Sequence, residues 1–403
     1  LKLTSEKMNS LPPQKHDTPH TETTTSDPWY EVKSLTVALV AYKLAIALFI
    51  ALFWANFPTA FDREQRARNY TRAPSQQEHV ELRDLFETWD TQHYLAISEQ
   101  GYTPETASTA FYPLWPALIR AGAAVTGGDH LMSGLLLANL LSLIALVVLH
   151  RLLSARYNTS LADRTLVLLL AFPGALFLNF PYTEALFLLL LVCFAAGLQW
   201  QLRWLTLIAA FLLPMTRPVG VLILVPILTL LRSDRSRLEK TLLVAAPLLG
   251  FLLYLAIMQQ QVGDPFAGMK AQKYFGFEDT FSKLFNPGAF LWELFGSTIW
   301  FHSSGPSAID RIWFLGFCVA LVPLWKRSRL YFWLALPLGL IPAVTLSFMA
   351  FTRYVAVIFP IFIAAGEYLH GSNRRIWLAV TVACLAILQF FFLVRHINFQ
   401  WAA

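Results

Sequence analysis

The segment "DLFETWDTQHYLAISEQGY", residues 84–102, gathers groups that could move a proton beside a flat ligand. His93 and Tyr94 follow Asp90 by three and four residues, so a helix would set all three on one face. Trp89 and Tyr102 add aromatic surface. A carboxylate walled by aromatics at the edge of an apolar phase is partly desolvated. That makes it a stronger proton acceptor, which is what a general base needs. The same residues also fit a plainer arrangement, in which Trp and Tyr form an interfacial belt and Asp90 caps a helix.

Other ionisable groups stand at the tips of apolar hairpins. "LNFPYTEALF" (178–187) presents Tyr182, Thr183 and Glu184, "LPMTRPVG" (213–220) presents Arg217, and "MAFTRYV" (349–355) presents Arg353. An Arg in a turn of a few residues between apolar helices is costly unless it is paired or faces a polar cavity. Two such Arg near Asp90 and Glu184 would make an anion site beside a base. The alternatives are headgroup anchoring, or an Arg217–Glu184 pair that only holds helices together. A longer polar stretch adds "GDPFAGMKAQKYFGFED" (263–279) and "STIWFHSSGP" (297–306). Lys270, Lys273 and His302 are candidate phosphate or sugar contacts there, or merely solvated. Phe275, Trp300 and Phe301 could stack on sugars or cover a lipid tail. No P-loop, zinc motif, nucleophile elbow or dinucleotide fingerprint is present.

The elements that must position these groups follow from composition. The 403 residues are 56% hydrophobic and only 14% charged, against about 25% charged in a soluble domain. Apolar runs recur from residue 36 to residue 394, which predicts an all-α polytopic membrane protein. Crossings are expected at about 36–56, 133–150, 165–180, 184–200, 204–215, 218–231, 241–258, 312–325, 330–350, 354–370 and 376–394, about eleven in all. Residues 111–127 are short and broken by Pro113 and Pro116, so they are expected to be interfacial or re-entrant. Residues 1–35 read as a disordered cytoplasmic tail and 36–403 as one transmembrane catalytic domain.

Net charge +6 could suggest nucleic acid, but the basic residues cluster in short loops between spans. With the N-terminus inside, Arg151, Arg156, Arg164, Arg232, Arg235, Arg237, Lys240, Lys326, Arg327, Arg329, Arg374 and Arg375 all fall on the inner side, as the positive-inside bias requires. Loops 57–110 and 259–311 then share the outer face with the three polar tips. Cys193, Cys318 and Cys384 lie inside apolar spans and read as packing residues.

In their order along the chain, "WDTQHYLAISEQGY", "FYPLWPALIR", "FPGALFLNFPYTEALFLLL" and "TRPVG" resemble PIG-V, the mannosyltransferase family of GPI-anchor synthesis, over residues 36–231. That family belongs to the GT-C class of integral-membrane glycosyltransferases. The resemblance implies a GT-C-like bundle, an outward-facing site, a catalytic Asp matching Asp90, and a polyprenyl- or dolichyl-phosphate mannose donor. Relatives often carry an Arg before the Trp-Asp pair, where this chain has Thr88.

The expected activity is inverting transfer of a hexose, mannose by resemblance, to a hydroxyl of a glycolipid or glycan. Arg217 and Arg353 would meet the leaving phosphate, and His93 and Glu184 would orient sugar or acceptor, with Trp89, Tyr94 and Tyr182 beside them. The lipid tail would lie against "FYPLWP", which brings in Tyr112. No obligatory metal or other cofactor is expected, because Arg can neutralise a phosphate monoester. The site would face outside a bacterial plasma membrane, or the ER lumen in a eukaryote. The competing readings are the same chemistry with another sugar, and a lipid-linked sugar flippase, which would place ionisable groups deep within symmetric broken helices.

Overall fold

A computed structural model describes residues 28–57, 60–69, 80–276, 282–296, 300–302, 307–371 and 374–402, and structural statements below concern these. Residues 1–27, most of the expected tail, lie outside them; helix already begins at Pro28, inside that segment. Among the described residues every regular element is helical, apart from one isolated bridge between Trp300 and Ser307.

Five helices are long and apolar enough to cross a membrane alone: Lys33–Asn56, His130–Arg156, Arg237–Val262, Ala308–Arg327 and Arg375–Ile397. Glu184–Gln199, Arg203–Met215, Pro218–Leu230 and Arg329–Thr345 are shorter apolar helices. His130–Arg156 packs against Glu184–Gln199 and Thr159–Ala171, and Arg203–Leu212 bridges Glu184–Gln199 to Arg237–Val262. Leu114–Ala123 is ten residues long, a rise of about 15 Å, which is half of what a crossing needs. It docks on His130–Arg156, with Trp115 and Ile119 fully buried.

Two expected spans are not straight helices. Within the run 165–180, helix Thr159–Ala171 ends and Pro173–Asn179 leaves at 85°. Phe172 precedes a proline and is extended (φ −63, ψ 135), because the proline ring disfavours helical backbone in the residue before it. The run 354–370 is likewise split, into Phe351–Ala356 and Phe359–Tyr368, ahead of Pro360. A broken helix in an apolar setting must satisfy its freed backbone groups. Here Gln389 Nε2 donates to the carbonyls of Leu170 and Phe172, both at 2.8 Å, and the Tyr42 hydroxyl donates to Leu170 at 3.2 Å. Ser142 Oγ and Lys43 Nζ donate to the Leu178 carbonyl at 3.0 and 3.3 Å, and Lys43 also reaches the side chains of Asn139 and Asn179 at 3.1 Å.

Candidate active site

Helix Asp90–Gln100 begins at the site. Its N-cap, Trp89, has φ +49 and ψ −119, outside the regions a non-glycine residue favours, a strain of about 1–3 kcal/mol. Surrounding contacts hold it there. The Trp89 ring stacks on Phe399 at 5.1 Å and meets the edge of Trp401 at 5.3 Å, and its indole donates to the Gln400 carbonyl at 3.3 Å. Beneath Thr88, its hydroxyl lies 2.9 Å from His396 Nε2, and the Tyr182 hydroxyl donates to its carbonyl at 3.2 Å. The backbone is thus fixed immediately before Asp90.

Three separate tips converge on that residue. Arg353 Nη1 donates to Asp90 Oδ2 at 2.6 Å, and Arg353 Nε lies 2.6 Å from Glu184 Oε1. Arg217 Nη2 pairs with the same Glu184 oxygen, and Arg217 Nε donates to Thr183 Oγ1 at 2.7 Å. The result is a chain of alternating charge, Asp90–Arg353–Glu184–Arg217, with no net charge. Glu184 is fully buried and Arg217 nearly so, whereas the Asp90 side chain keeps 22% of its surface exposed. Aromatic faces line the cations: Arg353 lies over Phe177 and Tyr182, and Arg217 over Phe187 and Tyr354.

Glycines set two of the tips. A Cβ on Gly174 would collide with the carbonyl of Thr352, so its absence lets Pro173–Asn179 lie against the helix that carries Arg353. A Cβ on Gly220 would strike the carbonyl of Leu213, across the hairpin that carries Arg217.

His93 and Tyr94 flank the cluster without pairing with Asp90. His93 Nδ1 lies 3.0 Å from Ser108 Oγ, and its ring stacks on Phe111 at 4.5 Å, with Phe275 edge-on at 6.0 Å. Burial lowers its pKa to about 4, against which the nearby Asp90 carboxylate acts only in part, so the ring is neutral. The Tyr94 hydroxyl lies 3.4 Å from Thr183 Oγ1.

The remaining candidates are placed elsewhere. Tyr112 stacks on Tyr254 at 4.1 Å, in a separate cluster with Met258. Lys270 is exposed and pairs with Asp264 at 2.6 Å, and Lys273 lies over its neighbour Tyr274. His302 stacks on Phe392 at 4.3 Å and lies 3.9 Å from Asp310. Thr183, presented at the same tip as Glu184, ties Arg217 to Tyr94. Other contributors had no reading from the sequence: Asp310 holds Thr352, and the segment Phe399–Trp401 walls Trp89. For Asp310 a signal existed: Ser307 followed three residues later by an acid is a capping pattern at a helix start.

Apolar helices of membrane-spanning length around a paired carboxylate and guanidinium cluster define an integral-membrane protein with a polar site at its helix tips. The mannosyltransferase (PIG-V) family profile matches residues 36–262, more than half of the chain, and the chain belongs to that family. No curated protein matches in sequence. Among solved structures it is similar to the Archaeoglobus fulgidus oligosaccharyltransferase in complex with zinc and sulfate, at 11% identity and TM-score 0.44, covering 89% of this chain and 53% of that one. It is also similar to the same enzyme tethered to an acceptor peptide, at 12% identity and TM-score 0.45, covering 89% and 55%. The chain thus spans about half the length of those proteins.

Proposed function

We propose that the chain is an inverting mannosyltransferase that uses a polyprenyl-phosphate mannose donor and a glycolipid or glycan acceptor. Asp90 takes the proton of the acceptor hydroxyl as that oxygen attacks the anomeric carbon. The bond from that carbon to the phosphate oxygen breaks, and the lipid phosphate leaves with the electron pair. The observation that carries this reading is the contact between Asp90 and Arg353 within a chain that belongs to a mannosyltransferase family. It joins a proton acceptor to a cation that can meet the leaving phosphate.

Arg353 holds Asp90 Oδ2, and among the described residues no partner holds Oδ1, which is left to accept the proton. Arg353 also has the more accessible of the two arginine side chains, at 14% against 6% for Arg217. It is therefore the first to meet phosphate, with Arg217 behind it. As phosphate draws on Arg353, Asp90 is released from that contact and is free to turn toward the acceptor hydroxyl. A positioned base of this kind contributes about 10²–10⁴-fold.

The bundle would be GT-C-like, with about eleven crossings and the cluster at the outer face. Purified protein in lipid vesicles, supplied with polyprenyl phosphate carrying radiolabelled mannose and a membrane glycolipid extract, should release polyprenyl phosphate as label moves to the acceptor. Release of free mannose alone, or intact donor throughout, would argue against transfer.

A further inference from the structure

We propose that Asp310 is a positioning residue that holds Arg353 against Asp90, acting through Thr352. It rests on the reading of Asp90 and Arg353 given above.

Arg353 stands on Phe351–Ala356, a helix of six residues. So short a helix does not hold itself together, because nucleation is unfavourable and few internal bonds repay it. Its N-cap is Ala350, which has φ +56 and no side chain able to cap. The turn before it is also unfavourable, with Ser347 and Phe348 at φ +50 and +64. Left-handed backbone at three non-glycine positions persists only when neighbours over-determine it.

Asp310 supplies what the turn lacks. Its Oδ1 accepts from the Thr352 backbone N–H at 2.7 Å and from Thr352 Oγ1, also at 2.7 Å. An acidic side chain from another helix thus does the work of an N-cap, where negative charge is favoured.

The backbone that carries this side chain is itself anchored. Asp310 is fully buried in the first turn of Ala308–Arg327, and Ser307 caps that helix by accepting from the Asp310 N–H at 3.3 Å. On the turn's other side, Ser347 Oγ donates to Glu293 Oε1 at 2.8 Å, and Lys283 donates to the same hydroxyl. Gly174 closes the packing against the Thr352 carbonyl. Asp310 touches neither Asp90 nor the guanidiniums. Its effect reaches the site through one residue of chain, from Thr352 to Arg353.

The test is a double-variant cycle on the full chain in lipid vesicles, read as turnover with polyprenyl-phosphate mannose. Asp310→Ala should lower kcat by about 10–100-fold, the equivalent of losing two hydrogen bonds. Asp310→Asn keeps an acceptor oxygen and should recover most of that loss. In an Arg353→Gln background, Asp310→Ala should produce no further loss, because the residue it positions is already gone. Thr352→Val preserves shape, removes one of the two bonds, and serves in the same cycle if Asp310→Ala does not fold; it should lower kcat about tenfold. Losses that add in the double variant would overturn the proposal, as would wild-type kcat in Asp310→Ala or Thr352→Val. Wild-type kcat in Arg353→Gln is a different result, and contradicts the reading of the site itself.

Discussion

Arg353 is shared between two carboxylates, and Glu184 between two guanidiniums, so a change at either of these two alters two ion pairs. Removing one partner of a buried ion pair costs about 3–5 kcal/mol, because the other charge is left uncompensated. Glu184→Gln should therefore lower the unfolding free energy by about that amount, measured by denaturant titration in detergent. Exchanging Glu184 and Arg217 would set a second cation against Arg353, so it would not restore the cluster. If Arg217 meets phosphate, Arg217→Ala lowers donor affinity in protein that still folds; unchanged affinity there would make the residue purely structural. Arg217→Lys should rescue affinity only in part, because a point charge lacks the guanidinium fork.

His93 gives a pH prediction. Its pKa is lowered to about 4 in the folded chain, against about 6.5 when unfolded. Between those values the unfolded chain binds a proton that the folded chain refuses. Stability therefore falls as pH drops from about 6.5 to about 4, by about 3 kcal/mol in total, and the loss levels off below that. His93→Gln should flatten this slope, read as the pH dependence of the melting temperature. An unchanged slope would mean that His93 is protonated in the fold.

At this scale Glu184, Arg217 and Arg353 were legible because each is an ionisable group at the end of an apolar run, and Asp90 because His93, Tyr94 and Trp89 accompany it. Their pairing was not, since Arg353 and Asp90 lie 263 residues apart. Tyr112 was drawn toward the site by a neighbouring motif, but stacking with Tyr254 decides where it lies.

The elements that carry these residues are short, bent and pressed together. Gly174→Ala would drive a methyl into the Thr352 carbonyl and push the Arg353 helix away from Asp90. The expected cost is about 1–3 kcal/mol of stability, with turnover falling more than that loss of folded protein explains. Gly316→Ala is the control: a Cβ there meets nothing within 4 Å, and the helix should gain about 0.5–1 kcal/mol. Equal turnover in the two variants would mean that the close approach at Gly174 does not position the site. Hydropathy located the apolar runs but missed the breaks at Phe172 and Val357. A run of apolar residues has the same average whether straight or bent. Pro173 and Pro360 marked both places, yet what makes the bend tolerable at the first is remote: Gln389, Tyr42, Lys43 and Ser142 satisfy the exposed carbonyls.

For the whole molecule, the proposed arrangement puts the Asp90 cluster on one face and the basic loops on the other. Cysteine at position 103 and cysteine at position 236, both exposed where position 91 is buried, should then label from opposite sides with an impermeant thiol reagent, in a background lacking the native cysteines. Labelling of both from one side would overturn that topology. Overall class was legible because composition and charge bias report on the bilayer directly. The wall formed by Phe399–Trp401 was not, because nothing local in those residues points to Trp89.

The central claim is that Asp90 is the proton acceptor. Asp90→Asn keeps the shape and removes the charge, and it is measured in reconstituted protein as turnover and donor affinity together. The account predicts turnover lower by about 10² or more. Donor affinity should hold or tighten, because Arg353 loses a carboxylate that competes with phosphate. Near-normal turnover in a folded Asp90→Asn protein would contradict the account.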